Sequence, residues 1–169
     1  MATDDKEMLV MVTLGHLAVE HDRHAYLERV TDLCSHATDA DRCTVYVVDR
    51  EQGELRSAVA QRIGVEIRLP LGRGLAGHVA ATGETINVPQ AYADPRFDPA
   101  VDRMTGYRTS NILAVPVWSA DGRTVVGVIQ VLNKRGGAFE RHDQILIERI
   151  AEAVGPVLEH WAAPKGGVR

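Results

Sequence analysis

Cys43-Thr44-Val45-Tyr46-Val47-Val48-Asp49, followed by Arg50-Glu51-Gln52-Gly53 and then Glu54-Leu55-Arg56-Ser57-Ala58-Val59-Ala60, is the stretch on which the fold turns. Two runs rich in β-branched and apolar residues flank a polar turn that ends in glycine, where a positive φ is wanted. The stretch reads as a β-hairpin, and a hairpin means antiparallel pairing. A second hairpin is predicted over residues 112–118 and 124–132, around Asp121-Gly122. Between the hairpins lie two short β segments, 65–69 and 84–88, and a short helix over 75–81 stopped by Thr82-Gly83. Farther out come longer helices. One opens at Asp22 and carries Tyr26, Leu27, Val30, Leu33, Cys34 and Ala37 at helical spacing. The last spans 141–161, with Leu146, Ile150, Ala153, Val154, Val157 and Trp161 on one side and an expected kink at Gly155-Pro156. Helices at both ends of antiparallel strands make the fold class α+β.

A first helix is predicted over 4–20, with Asp4 and Glu7 as a capping-box-like start. It carries Met8, Leu9, Val10, Met11, Val12, Leu14 and Leu17, apolar on more than one side, whereas a single buried face needs only a stripe. The helix is expected either to meet a partner chain or to lie across the domain's own core. At 169 residues with a formal net charge of −4, the chain fits one domain and has no basic footprint for nucleic acid. Its arginines mostly stand beside acids, as in Asp41-Arg42. Cys34 and Cys43 read as small buried hydrophobes, with no disulfide framework, in keeping with a reducing cytoplasm. The polar start, residues 1–7, lacks signal-peptide character, and the longest apolar run, residues 8–12, is too short for a membrane span.

Gly72-x-Gly74-x-x-Gly77 matches the dinucleotide fingerprint, yet the helix it opens is short and no second parallel strand follows. Two readings of this turn stand side by side. It lets backbone N–H groups at Leu75 and Ala76 approach an anion, or it packs a helix closely on a sheet. His16, His21 and His24 straddle a helix junction without completing a metal set. There is no nucleophile elbow, no HExxH and no lysine after the glycine turn, so nothing calls for an enzyme. Residues 90–111 form a long polar segment, which inside a domain is functional or mobile.

Taken together, these segments resemble the GAF family. The first-strand stretch from Asp41 to Asp49, the short-helix stretch from Gly74 to Gly83, and the lid stretches from Asn87 to Phe97 and from Thr105 to Leu113 occur in the family's order. The likeness is to the GAF domains of cyclic nucleotide phosphodiesterases and bacterial adenylyl cyclases. Asn133-Lys134, Phe139 and Asp143 resemble the NKFDE motif of the cyclic-nucleotide-binding members, with Gln144 in place of the final Glu. The resemblance implies a central six-stranded antiparallel sheet, with N- and C-terminal helices on one face and a lid with short helices on the other. It implies a division into a linker and dimerisation helix (1–22), a GAF domain (23–162) and a flexible tail (163–169).

Carried over position by position, the resemblance puts Thr44, Ala60, Gln61, Leu75, Ala76, Tyr92, Asp102, Thr105, Thr109 and Gln130 at the ligand, and makes Lys134 and Asp143 a structural pair. The ligand it implies is cyclic AMP or cyclic GMP. No cofactor, metal or catalytic residue is expected. The partners implied are a second copy, through the terminal helices, and an effector domain in a longer chain. Two alternatives stand beside this reading: a dimerisation module with another ligand or none, and an enzyme like the GAF-type methionine sulfoxide reductases.

Overall fold

The computed structural model describes residues 1–162, so the tail predicted at 163–169 and the side chain of Trp161 lie outside the described residues. Two helices, α1 (Thr3–Leu17) and α2 (Arg23–Thr38), precede strands β1 (Ala40–Asp49), β2 (Glu54–Ala60) and β3 (Arg68–Pro70). Helix α3 (Gly74–Thr82) and strand β4 (Ile86–Val88) follow, then a 3-10 turn (Ala91–Ala93) and helix α4 (Ala100–Thr105). Strands β5 (Ile112–Trp118) and β6 (Val125–Lys134) lead into α5 (Arg141–Ala162).

The strands make one six-stranded sheet in the order β3-β2-β1-β6-β5-β4, antiparallel throughout. Both hairpins close as expected, and Gly53 (φ 66°) supplies the left-handed residue of the first turn. Side chains alternate along a strand, so each central strand feeds two cores. Cys43, Val45 and Val47 of β1 join α1, α2 and α5 on one face, where Leu146, Ile147, Ile150, Val154 and Leu158 are buried. Tyr46 of the same strand joins Leu75, Val79, Ile112 and Val128 on the other, beneath α3 and the 90–111 segment.

Three details depart from the sequence reading. Helix α1 spans Thr3–Leu17, and its first turn is closed by Asp5, whose carboxylate accepts from the Ala2 N–H at 3.2 Å. Glu7 is thereby free to accept from Arg149 of α5 at 3.0 Å. Helix α1 lies across the domain's own core, one of the two placements expected for it, with Val10 and Leu17 at 1% and 2% exposure in the helix-side core. Its other side remains bare, with Met8, Met11 and Val12 at 63%, 66% and 50% exposure. The third strand is shorter and later than predicted, because the chain leaves β2 through an irregular turn with Arg62 at φ 60°. Helix α5 runs across Gly155-Pro156, burying Ile147, Ala151 and Leu158 while Ala153 is exposed. Among the described residues no helix is long and apolar enough to cross a membrane.

Candidate functional site

The site is built where the lid face of the sheet meets α3 and α4. Thr44 on β1 pairs in register with Gln130 on β6, so these two polar side chains share one patch of floor. Leu75 and Ala76 open α3 above it, at 3% and 2% exposure. The α3 start has no side-chain cap at Arg73, and the first N–H groups of a helix have no intrahelical acceptor. Gly77 sits so close to the preceding turn that a Cβ would stand 2.7 Å from the Pro70 carbonyl oxygen. Close packing and amides available at the helix start, the two readings of the glycine turn, therefore occur together.

The lid is closed by polar contacts. Asp102 on α4 is buried, and its carboxylate accepts from the Thr109 N–H at 2.7 Å, the Thr109 hydroxyl at 2.7 Å and the Tyr92 hydroxyl at 2.8 Å. Tyr107 donates its hydroxyl to Asp41 at 2.9 Å, and burial together with that bond pushes its phenol above the usual range. Asn133, held at φ 55°, ties down the far end of the lid: its amide oxygen accepts from Ser110 N–H at 2.6 Å and its amide donates to the Arg108 carbonyl at 2.9 Å. Next to it, the Lys134 ammonium pairs with Asp143, which also accepts from the Glu140 N–H at 2.7 Å. An acid at the third helical position that reaches back to the cap amide is half of a capping box, which is how α5 starts without Ser or Thr. Phe139 is buried in the helix-side core.

Thr44, Leu75, Ala76, Asp102, Thr105, Thr109 and Gln130 converge on one cavity. Two other candidates lie elsewhere, and a third sits at the border of the site. Gln61 lies on the α2 side of the sheet: its amide oxygen accepts from Ser35 and from the Cys43 N–H, and its NH2 donates to Asp32 at 2.9 Å. Ala60 stands opposite Thr44 in the β1–β2 register and packs against the lid-face core, while also bordering the open groove between α2 and β2. Tyr92 is 47% exposed on the outside of the lid, where Arg108 stacks on its ring at 4.3 Å. Arg42, Tyr46, Phe97 and Tyr107 line the cavity and escaped the sequence reading. Arg42 and Tyr46 were legible as the period-two partners of Thr44; the two lid aromatics carried no such signal.

The enclosed space is about 70 Å³. Pockets for small organic ligands run to roughly 300 Å³ and more, so this cavity is small for one as it stands. Both cysteines lie in the opposite core, and burial beside Cys34 raises the Cys43 thiol well above its ordinary value. Among the described residues no group of three or more His, Cys, Asp or Glu is placed to hold a metal ion.

A family model for the GAF domain matches residues 22–158. The chain is 34% identical over 149 residues to the probable 3',5'-cyclic phosphodiesterase pde-5 of Caenorhabditis elegans, covering 80% of this chain and 20% of that protein. It is 34% identical over 125 residues to the dual 3',5'-cyclic-AMP and -GMP phosphodiesterase 11A of Takifugu rubripes, covering 65% and 14%. The chain thus spans a fifth or less of these relatives. Among solved structures, the GAF domain of a phosphoenolpyruvate-protein phosphotransferase from Coxiella burnetii superposes with a TM-score of 0.81 at 18% identity, covering 95% of this chain and 98% of that one. The free methionine-R-sulfoxide reductase of Neisseria meningitidis gives 0.79 at 23% identity, covering 93% and 90%. At such identities these likenesses speak for the fold.

Proposed function

The chain belongs to the GAF family, and from that premise we propose that it is a regulatory sensor domain that takes a cyclic nucleotide beneath its lid and signals through its terminal helices to an effector in a longer chain. One observation carries the reading. An uncapped helix start, at Leu75 and Ala76, faces the same closed cavity as the polar pair Thr44 and Gln130. Amides at a helix N-terminus favour an anion, and the hydroxyl and carboxamide offer hydrogen bonds to a base or sugar. The phosphodiesterase relatives support the same ligand class. Two free, buried cysteines suit a reducing cytoplasm.

Calorimetric titration with cyclic AMP and cyclic GMP tests the reading. We expect saturable heat with at least one of them and a rise in melting temperature that grows with ligand concentration, since a ligand bound only to the folded state stabilises it by mass action. No heat and no thermal shift with either nucleotide would leave the sensor reading without its ligand.

A second reading, dimerisation through α1, is favoured by the bare apolar side that carries Met8, Met11 and Val12. Sedimentation should show a concentration-dependent dimer that Met8→Glu with Met11→Glu abolishes; a monomer at every concentration would dismiss it. The reductase reading gains nothing from the geometry, because Cys34 and Cys43 are shut in the helix-side core, away from the lid cavity.

A further inference from the structure

We propose that the outer surface of the lid is a docking site for an acidic segment of a partner protein, held by Arg103 and Arg108 beside the exposed ring of Tyr92. The inference is independent of the cyclic-nucleotide reading, because none of these side chains lines the cavity. Tyr92 is 47% exposed, yet its ring is fixed. Its hydroxyl donates to Asp102 at 2.8 Å, Phe97 packs with ring centres 4.9 Å apart, and the Arg108 guanidinium lies 4.3 Å over the ring. Arg103 follows Asp102 on α4, and its charge and that of Arg108 both reach the Tyr92 phenol. Met104, 59% exposed, adds an adaptable apolar surface next to Arg103.

The two guanidiniums differ from their neighbours. Around the lid, Arg73 pairs with Asp98 at 3.0 Å and Arg96 with Asp94 at 2.7 Å. Arg103 and Arg108 are exposed, and among the described residues no carboxylate pairs with either. The Asp102 carboxylate is buried and turned to Tyr92 and Thr109. A guanidinium fork matches a carboxylate with two parallel hydrogen bonds, and one already stacked on a ring loses little freedom on binding. Tyrosine, methionine and arginine are also enriched where proteins bind one another. An acidic segment carrying an apolar residue satisfies both parts of the patch, with carboxylates on the arginines and the apolar group on Met104 and the Tyr92 ring. A nucleic-acid strand fits less well, since two cations on a chain of net charge −4 neutralise few phosphates.

The test titrates the full chain into a fluorescein-labelled peptide of glutamates interrupted by leucines, read by anisotropy at low salt, with the melting curve of each variant recorded. Wild type is expected to bind it saturably and to ignore the same peptide with lysine for glutamate. Arg103→Glu with Arg108→Glu should weaken binding at least about tenfold, because like charges then face each other. Arg123→Glu with Arg141→Glu makes the same change of net charge on other elements and should leave affinity within about twofold. Arg108→Gln decides the matter if the first pair does not fold, and should weaken binding by itself. No binding to wild type, or equal weakening by both pairs, overturns the proposal. A single-stranded oligonucleotide bound more tightly than the acidic peptide overturns it in favour of nucleic acid. Self-association in sedimentation that Arg103→Glu with Arg108→Glu abolishes overturns it in favour of a second copy.

Discussion

Asp143→Ala is expected to lower the stability of the domain by about 3 kcal/mol, the low end of what removing one partner of a buried ion pair costs. Asp143 is 2% exposed and accepts from two donors on different elements, the Lys134 ammonium at the end of β6 and the Glu140 N–H at the start of α5. Alanine removes both acceptors together. The helix loses its first-turn cap, and an ammonium at 16% side-chain exposure loses its counter-ion. The cost stays near the low end because the lysine stem lets the ammonium turn toward water. Urea unfolding should show the midpoint falling with an unchanged slope, and the melting temperature should drop by about 6–12 °C at roughly 2–4 °C per kcal/mol for a domain of this size. The paired change Lys134→Met with Asp143→Leu should recover the part of the loss that comes from the unpaired ammonium, since no buried charge is then left without a partner and only the Glu140 N–H stays uncapped. A double variant as unstable as Asp143→Ala alone would mean that the helix cap, and not the ion pair, carries the effect.

Local signals in the sequence were enough for the hairpins, and the family resemblance supplied the Lys134–Asp143 pair. The β1–β2 turn is written in alternating apolar runs and Gly53, and the Asn133-Lys134 to Asp143 spacing spans only the link between the last strand and the last helix. The placement of β1 beside β6 is different, because it joins residues such as Thr44 and Gln130 that stand far apart in the chain, and no local signal reports it. Gln61 sits away from the cavity for a local reason. Gln61 lies just past the end of β2, where period-two alternation no longer says which way a side chain points, and it turned to the α2 side to serve Asp32, Ser35 and Cys43. Arg42 shares the period-two face of Thr44, although Asp41 beside it in the sequence also stands within ion-pair reach at 3.9 Å. Asp41 faces the groove beside α2 while Arg42 faces the cavity. The size of that cavity, about 70 Å³, depends on how Phe97, Tyr107 and Val101 settle together, and no spacing rule reports it.

Gly155→Ala is the second large effect expected, and its sign runs against helix propensity. In the interior of an exposed helix, alanine for glycine stabilises by about 1 kcal/mol. Gly155 is buried where α5 crosses the end of β5, and a Cβ there would collide with the carbonyl oxygen of Trp118. That obstacle is backbone, so no rotamer change relieves it; either α5 lifts from the sheet or the end of β5 gives way. Lifting the helix would thin the packing of Val154 and Leu158, which are fully buried against the sheet in the helix-side core. Overpacking of this kind costs about 1–3 kcal/mol, and against a backbone obstacle the cost sits at the top of that range, so a net loss of about 2 kcal/mol remains after the propensity gain. Thermal and urea unfolding measure it directly. Gly15→Ala is the matching control, because a Cβ at that helical glycine meets nothing within 4 Å and the propensity gain should appear unopposed. If both variants were stabilised alike, α5 would not lie on β5 as closely as the Trp118 contact requires, and any signal passing from the sheet to the last helix would need another route.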